Sequence, residues 1–270
     1  MTLITVPSSL SNFLNKQVVQ IPKIIHQTYI SLEKLPKVWK DTPVTWQKYH
    51  PDWKYKFWSD DDCKQMVSQH FPEFLETYNS YKHNIQRADA IRPMVLYLYG
   101  GLYVDCDIQP IRSVEDLFYQ DNEVYLVRSS NGNVVTNCFM ASKPKVKFWK
   151  LIIDEMYNRA KSPNIFWSLS KHIEVMYTTG PMFIDKMFNQ YKNTFKFYFL
   201  PREYIIPTKC GLCAEKPCIS LFGYTKILEG SSWVNIDTRV LNFLACNYPN
   251  ILVCLALGFL IYNLYKYIKL

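Results

Sequence analysis

The sequence lacks any dense run of Lys and Arg. Its 31 basic and 23 acidic residues leave a formal net charge of +8, distributed along the chain. That balance suits a polyanionic ligand or an anionic membrane surface and argues against a nucleic-acid partner. There is no G-x-G-x-x-G loop, which argues against a dinucleotide-dependent dehydrogenase. Internal repeats and low-complexity segments are absent, so a repeat array is excluded. The stretch from Met1 to Gln20 has no basic start followed by a continuous apolar core and does not read as a signal peptide. No side chain stands out as a covalent nucleophile or general base.

Cysteine is present, but no complete metal-ligand set accompanies it. Cys210, Cys213 and Cys218 form a C-x2-C-x4-C cluster, and a structural zinc site wants four ligands. No fourth Cys or His lies nearby in sequence. Zinc, a local disulfide and free thiols remain as readings, and the redox compartment stays open. Cys106 lies inside an acidic motif and Cys254 inside an apolar run, so neither reads as a disulfide partner. That run, Ile251 to Tyr265, is almost wholly apolar. Fifteen helical residues span roughly 22 Å, short of a hydrocarbon core of roughly 30 Å. Tyr267, Ile268 and snorkelling Lys266 and Lys269 extend it toward a full span. The expectation is a membrane anchor over residues 251–268.

Apolar residues make up 49% of the chain, enough for one sizeable core. Ile21 to Tyr29 reads as a buried strand running into a loop, and Trp39 to Tyr49 as a helix. Trp53 to Trp58 alternates aromatic and basic residues, a half-buried strand pattern. Ser59 followed by three Asp residues reads as a helix start. A helix is expected over Asn84 to Tyr99, with a kink at Pro93 and an end at Gly100-Gly101. Strands are expected at Tyr103 to Ile108, Glu123 to Arg128 and Val134 to Ala141, and a helix at Phe148 to Ala160. Lys196 to Leu200 and Tyr204 to Pro207 read as short extended pieces. Strands alternating with helices predict an α/β domain with a mostly parallel central sheet. The chain divides into a leader (1–20), a catalytic domain (21–240) and an anchor segment (241–270).

The chemistry concentrates in Asp105-Cys106-Asp107, behind an apolar stretch and the Gly100-Gly101 turn. In an extended chain residues i and i+2 point to one side, so both carboxylates are expected to face one hard cation such as Mn²⁺ or Mg²⁺. A cation so held clamps a pyrophosphate leaving group. Asp89 and Arg92, at i and i+3, share a helix face one element upstream.

The run Arg87 to Arg92, continuing through Gly100-Gly101-Leu102-Tyr103-Val104-Asp105-Cys106-Asp107, resembles the DxD-containing sugar-transferase region of glycosyltransferase family 32. Ile21 to Tyr29 is similar to the opening strand of that family. Within it, the inositol phosphorylceramide mannosyltransferases and initiating α-1,6-mannosyltransferases look nearest. The resemblance covers roughly residues 20 to 235, with the motif blocks in order. It implies a GT-A-type Rossmann-like sandwich, to which the sequence itself adds the C-terminal hydrophobic helix, and a retaining, metal-dependent transfer of a hexose. It further implies that Asp105 faces the ribose and sugar, that Asp107 ligates the cation, and that Asp89 and Arg92 hold the transferred sugar. Tyr103 would line the donor pocket, and His26 and Gln27 would sit near the nucleotide. Asn137 would open a strand beside the acceptor cleft. Thr179-Gly180-Pro181 would turn near the sugar. The loop Glu229-Gly230-Ser231-Ser232-Trp233 would close over metal and phosphates, with Ser232 and Trp233 as its working residues.

Two departures stand out. Relatives carry a His shortly before that last loop, whereas this chain has Lys226-Ile227-Leu228-Glu229, so Glu229 becomes the candidate third oxygen donor. Pro93 also stands directly after Arg92. The implied partners are a nucleotide-sugar (GDP-mannose favoured, UDP-hexoses open), a glycan or glycolipid acceptor, and a membrane. The expected location is membrane-associated: a tail anchor points to the cytosolic side, the family to the Golgi or ER lumen. The rival classes are a metal-dependent phosphohydrolase and an inactive carbohydrate-binding relative.

Overall fold

A computed structural model describes residues 21–129, 132, 134–162, 164–206, 223–230, 236–244 and 246–247. Its main sheet has six strands in the order β2-β1-β3-β6-β5-β7. These are β1 (Ile24–Thr28), β2 (Lys54–Trp58), β3 (Gly101–Val104), β5 (Val124–Arg128), β6 (Val135–Ser142) and β7 (Phe197–Phe199). β1 runs parallel to β2 and β3, and β7 parallel to β5; β6 alone is reversed, between β3 and β5. The sheet is therefore mixed and mostly parallel. The short strands β4 (Ile108–Pro110) and β8 (Thr225–Ile227) pair separately.

Both faces of the sheet are covered, and alternation along each strand distributes side chains between two cores. From β3, Tyr103 packs with Ile91, Val95, Phe148 and Met156 on one face, while Leu102 and Val104 pack with Trp46, Phe118 and Phe139 on the other. The first core is roofed by α4 (Asn84–Tyr99), α5 (Lys147–Lys161) and α7 (Pro181–Tyr191). The second lies under α1 (Thr42–Tyr49). Each large apolar side chain buried this way contributes roughly 1.5–3 kcal/mol.

Local rules explain most element ends. Ser59 caps α2 (Asp60–His70) in a capping box with Asp62, which satisfies two donors at the helix start. α3 (Leu75–Ser80) then leads to α4, which runs unbroken through Pro93. Gly100 terminates α4 at φ +64° and Gly101 continues at φ +89°. A Cβ on Gly101 would overlap the Ile24 carbonyl oxygen, and one on Gly100 would come within 2.8 Å of Pro144 and Ser142. The two glycines thus permit the reversal from α4 into β3 and its close approach to β1.

Three expectations need correction. Tyr103–Ile108 is not one strand: β3 stops at Val104, and Asp105 to Asp107 form a turn closed by Ile108 N–H donating to the Asp105 carbonyl at 3.1 Å. The predicted helix from Trp39 begins instead as a 3₁₀ turn, Lys37–Trp39, before α1. Tyr204 lies in a helical turn, Arg202–Ile205, that starts directly after Pro201, with the Tyr204 N–H donating to the Pro201 carbonyl at 3.0 Å. The expected hydrophobic helix over 251–268 lies outside the described residues, as do Cys210, Cys213, Cys218 and Cys254. Among the described residues no helix is long and apolar enough to cross a membrane. Cys63 and Cys106 are free and buried.

Gly101→Ala is expected to lower stability by about 2–3 kcal/mol, read as a fall in the urea midpoint. An unchanged midpoint would contradict the close β1–β3 approach.

Candidate active site

At the C-terminal ends of β1 and β3 a cleft of about 390 Å³ opens, a volume that suits a small-molecule ligand. Its wall includes Tyr29, Trp39, Arg92, Tyr103, Asp105 and Asp107. Open α/β sheets bind ligands at this end.

Arg92 organises the floor. It projects from α4, is 5% exposed, and has all three guanidinium nitrogens engaged. Nη1 meets Asp89 Oδ1 and the Asn137 carbonyl, each at 3.1 Å; Nη2 meets Asp105 Oδ1 at 3.0 Å; Nε donates to the Tyr103 hydroxyl at 3.1 Å. Tyr103 in turn donates to Asp105 Oδ1 at 2.8 Å. Behind Arg92, Asp89 is 3% exposed. It accepts from Asn137 Nδ2 and Thr179 Oγ1, each at 3.0 Å. α4, β3, β6 and the turn before α7 are thereby tied through one buried cation.

Burial pushes the Asp89 carboxyl up to about 6, although Arg92 and Thr179 favour its charged form. Asp105 is also raised by burial, opposed by Arg92 and the Tyr103 hydroxyl. Asp107 is pushed up to about 7, first by burial and then by the neighbouring Asp105 charge. No salt bridge reaches Asp107 among the described residues. Arg92 at a distance and a backbone hydrogen bond offset the rise only in part; a cation would supply the ion pair that Asp107 lacks among the described residues.

The turn geometry replaces the expected i, i+2 alternation, yet both carboxylates still line one cleft. The expected third oxygen donor is not brought in: among the described residues no trio of His, Cys, Asp or Glu gathers to hold a metal. The Glu229 backbone does approach the cleft, its carbonyl accepting from Trp39 Nε1 at 2.9 Å, with Gly230 against the same ring. Ser232 and Trp233 lie outside the described residues.

His26 is placed elsewhere. It is 1% exposed, with Nε2 bonded to the Gly100 carbonyl at 2.9 Å and Nδ1 accepting from Trp58 Nε1 at 3.1 Å. Burial lowers its pKa to about 4, so it stays neutral, bracing the α4–β3 reversal on the side away from the cleft. Gln27 supports the motif from behind, donating to the Asp105 carbonyl at 3.1 Å and accepting from the Tyr55 hydroxyl at 2.7 Å. Asn137, Thr179 and Gly180 belong to the same buried frame; Gly180 lies against the Val175 carbonyl and caps α7.

Several wall residues carry no signal in the sequence. Thr28, Asp60, Lys82, His83 and Lys171 also line the cleft. Lys82 and His83 pair with Glu174 at 3.5 Å, a contact from α6 (Lys171–Thr178). Only the folded chain brings that region beside the motif.

Residues 36–124 match the family model described as a glycosyltransferase sugar-binding region containing a DXD motif. The chain is 32% identical over 248 residues to inositol phosphoceramide mannosyltransferase 2 of Schizosaccharomyces pombe, covering 92% of this chain and 67% of that protein. It is 31% identical to mannosyl phosphorylinositol ceramide synthase SUR1 of Saccharomyces cerevisiae, covering 89% of this chain and 58% of that one. This chain thus spans only about three fifths to two thirds of the length of these relatives. Among solved structures, the PaToxG glycosyltransferase aligns at a TM-score of 0.48 and 15% identity, over 64% of this chain and 70% of that one. With the acidic motif at the strand end and the family's relatives matched over most of its length, the chain belongs to the DXD-containing glycosyltransferases of family 32.

Proposed function

We propose that the chain moves a hexose, mannose in the favoured case, from a nucleotide-sugar to a hydroxyl of a glycolipid, with retention of configuration and with a divalent cation. GDP-mannose is the favoured donor. The supporting observation is the Arg92 hub, which pairs with Asp105 at the cleft floor while Asp107 beside it is held well above the usual carboxylate range. The names of the relatives, mannosyltransferases acting on inositol phosphoceramide, support the sugar and a lipid-linked acceptor.

The donor set fits a hard cation. Two carboxylates lining one cleft are the hard oxygen donors that Mg²⁺ or Mn²⁺ would take, and phosphate oxygens of a nucleotide-sugar are donors of the same kind. Asp107 and Asp105 would hold that ion, which when bound supplies positive charge against the departing diphosphate.

The chain's own residues bind and orient. Arg92 and Tyr103 hold the Asp105 carboxylate in one rotamer, and Gln27 fixes its backbone. That preorganisation spares reorganisation during reaction. Trp39 and Tyr29, in edge-to-face contact at 5.8 Å, offer an aromatic wall for the donor. Lys82 and Lys171 place positive charge in the cleft wall. In same-face substitution the acceptor oxygen attacks the side that the diphosphate leaves, and the diphosphate takes the acceptor proton. Such a reaction asks the protein for placement rather than for a general base.

With Mn²⁺ present, one donor among GDP-mannose, UDP-glucose, UDP-galactose and UDP-N-acetylglucosamine is expected to be hydrolysed slowly without acceptor. Asp107→Asn is expected to reduce that turnover by about 100-fold or more. Release of phosphate from simple phosphoesters, with every sugar donor untouched, would favour the hydrolase reading instead.

The same substitution should act oppositely on stability. Asp107 has an ordinary value of 3.8 and is held at about 7 in the fold. Between these values the unfolded chain releases the proton that the folded chain keeps, so this carboxyl lowers stability as pH rises through that window. In chelator at pH above 7, Asp107→Asn is expected to stabilise the fold by about 1–2 kcal/mol. The gain should vanish near pH 4. A destabilised variant in chelator would contradict the raised carboxyl.

A further inference from the structure

We infer that the face formed by the loop 164–169 and the helix 236–244 docks on a lipid bilayer surface beside the mouth of the cleft. The loop presents three large apolar side chains to solvent: Ile165, Phe166 and Leu169 are 78%, 69% and 72% exposed. Trp167, between them, is half-buried under the Arg159 guanidinium at 4.9 Å, so they stand on a packed base. On the helix, Ile236, Val240, Phe243 and Leu244 are all exposed. They fall at i, i+4, i+7 and i+8, one stripe of an α-helix. The opposite side faces the protein: Thr238 is buried.

The two pieces are linked through α6, which follows the loop directly and holds the helix by its first turn. His172 N–H donates to Asp237 Oδ2 at 2.9 Å, and His172 Nδ1 lies 3.2 Å from Thr238 Oγ1. The acid on this helix is therefore engaged by the start of α6. Lys161, Lys171 and Arg239 flank the apolar side chains in sequence, and Lys171 also lines the cleft. An outward apolar stripe flanked by basic residues is the composition of an interfacial helix. The stretch 236–244 is apolar on one side and buried on the other rather than apolar all round, which suits lying in a bilayer surface.

The neighbouring apolar run favours a bilayer over a protein partner. From Leu244 to the start of that run at Ile251 the chain can reach at most roughly 25 Å. If the run enters a bilayer, this face is held within that distance of the same surface. Ile30 and Leu32, on the other side of the cleft, are also exposed, and Ile30 lines it. Docking would bring the cleft mouth to the headgroup layer, where a lipid-linked hydroxyl resides. This consequence rests on the proposed glycolipid acceptor; the docking itself does not.

Hydrogen exchange on the full chain, with and without vesicles of phosphatidylcholine and phosphatidylserine, tests the docking. Amides of 164–169 and 236–244 are expected to slow by about tenfold or more on adding vesicles. In Phe166→Asp/Leu169→Asp that protection should be lost from the loop. Donor hydrolysis should be unchanged in this variant, while transfer to a vesicle-embedded acceptor falls about tenfold. Protection confined to 248–270 would overturn the proposal. So would protection of this face already present without vesicles, which would mean that another part of the chain or a second copy covers it. If no donor is turned over, the proposed activity fails while the exchange result still decides the docking.

Discussion

A single guanidinium taken out of water holds the floor of the cleft together. Arg92 meets two carboxylates, a phenol and a backbone carbonyl drawn from α4, β3 and β6. Removing such a charge from water costs several kcal/mol, and only near-complete pairing repays it. The pairing here is near complete. Burial works against the charged guanidinium, yet the Asp105, Tyr103 and Asp89 groups around it raise its pKa. The arrangement leaves three acids around one base. Its surplus negative charge falls at Asp107, which lines the cleft and has no ion pair among the described residues. A site poised for a cation is a site strained without one.

That hub has consequences at a distance. Asp105 is fixed only if β3 is fixed, and β3 is pinned to β1 by a glycine with no room for a side chain. His26, neutral and buried, ties the reversal at Gly100 to Trp58 on β2. Thr179 joins the turn before α7 to the same network through Asp89. The residues named by the family resemblance therefore divide in two. Asp105, Asp107, Arg92 and Tyr103 reach the cleft; Asp89, Asn137, Thr179, Gln27 and His26 hold it from behind.

Much of this was legible in the chain, and the reasons are local. The Ser59 cap with its acidic first turn, the glycine pair after Tyr99 and the alternation in Trp53–Trp58 are short-range signals, and an element formed at each. The acidic pair was legible as a site, but its geometry was not. A strand pattern cannot reveal that Val104 is the last paired residue, because the turn through Asp107 is set by β4 leaving for β8. The role of Asp89 was also hidden. Whether a carboxylate at i−3 from an Arg faces ligand or core depends on Asn137 and Thr179, which lie 48 and 90 residues away. The outward stripe on 236–244 belongs to the same class, since periodicity alone does not say which way a helix is turned.

The most direct measurement is a double-mutant cycle of Arg92→Met and Asp105→Asn, read by urea unfolding in chelator. A hub of this kind predicts strong coupling, about 2 kcal/mol or more, with the double variant more stable than the sum of the single losses implies. Additive losses, with coupling near zero, would show that Arg92 and Asp105 do not depend on one another, and the account of the cleft floor would fall.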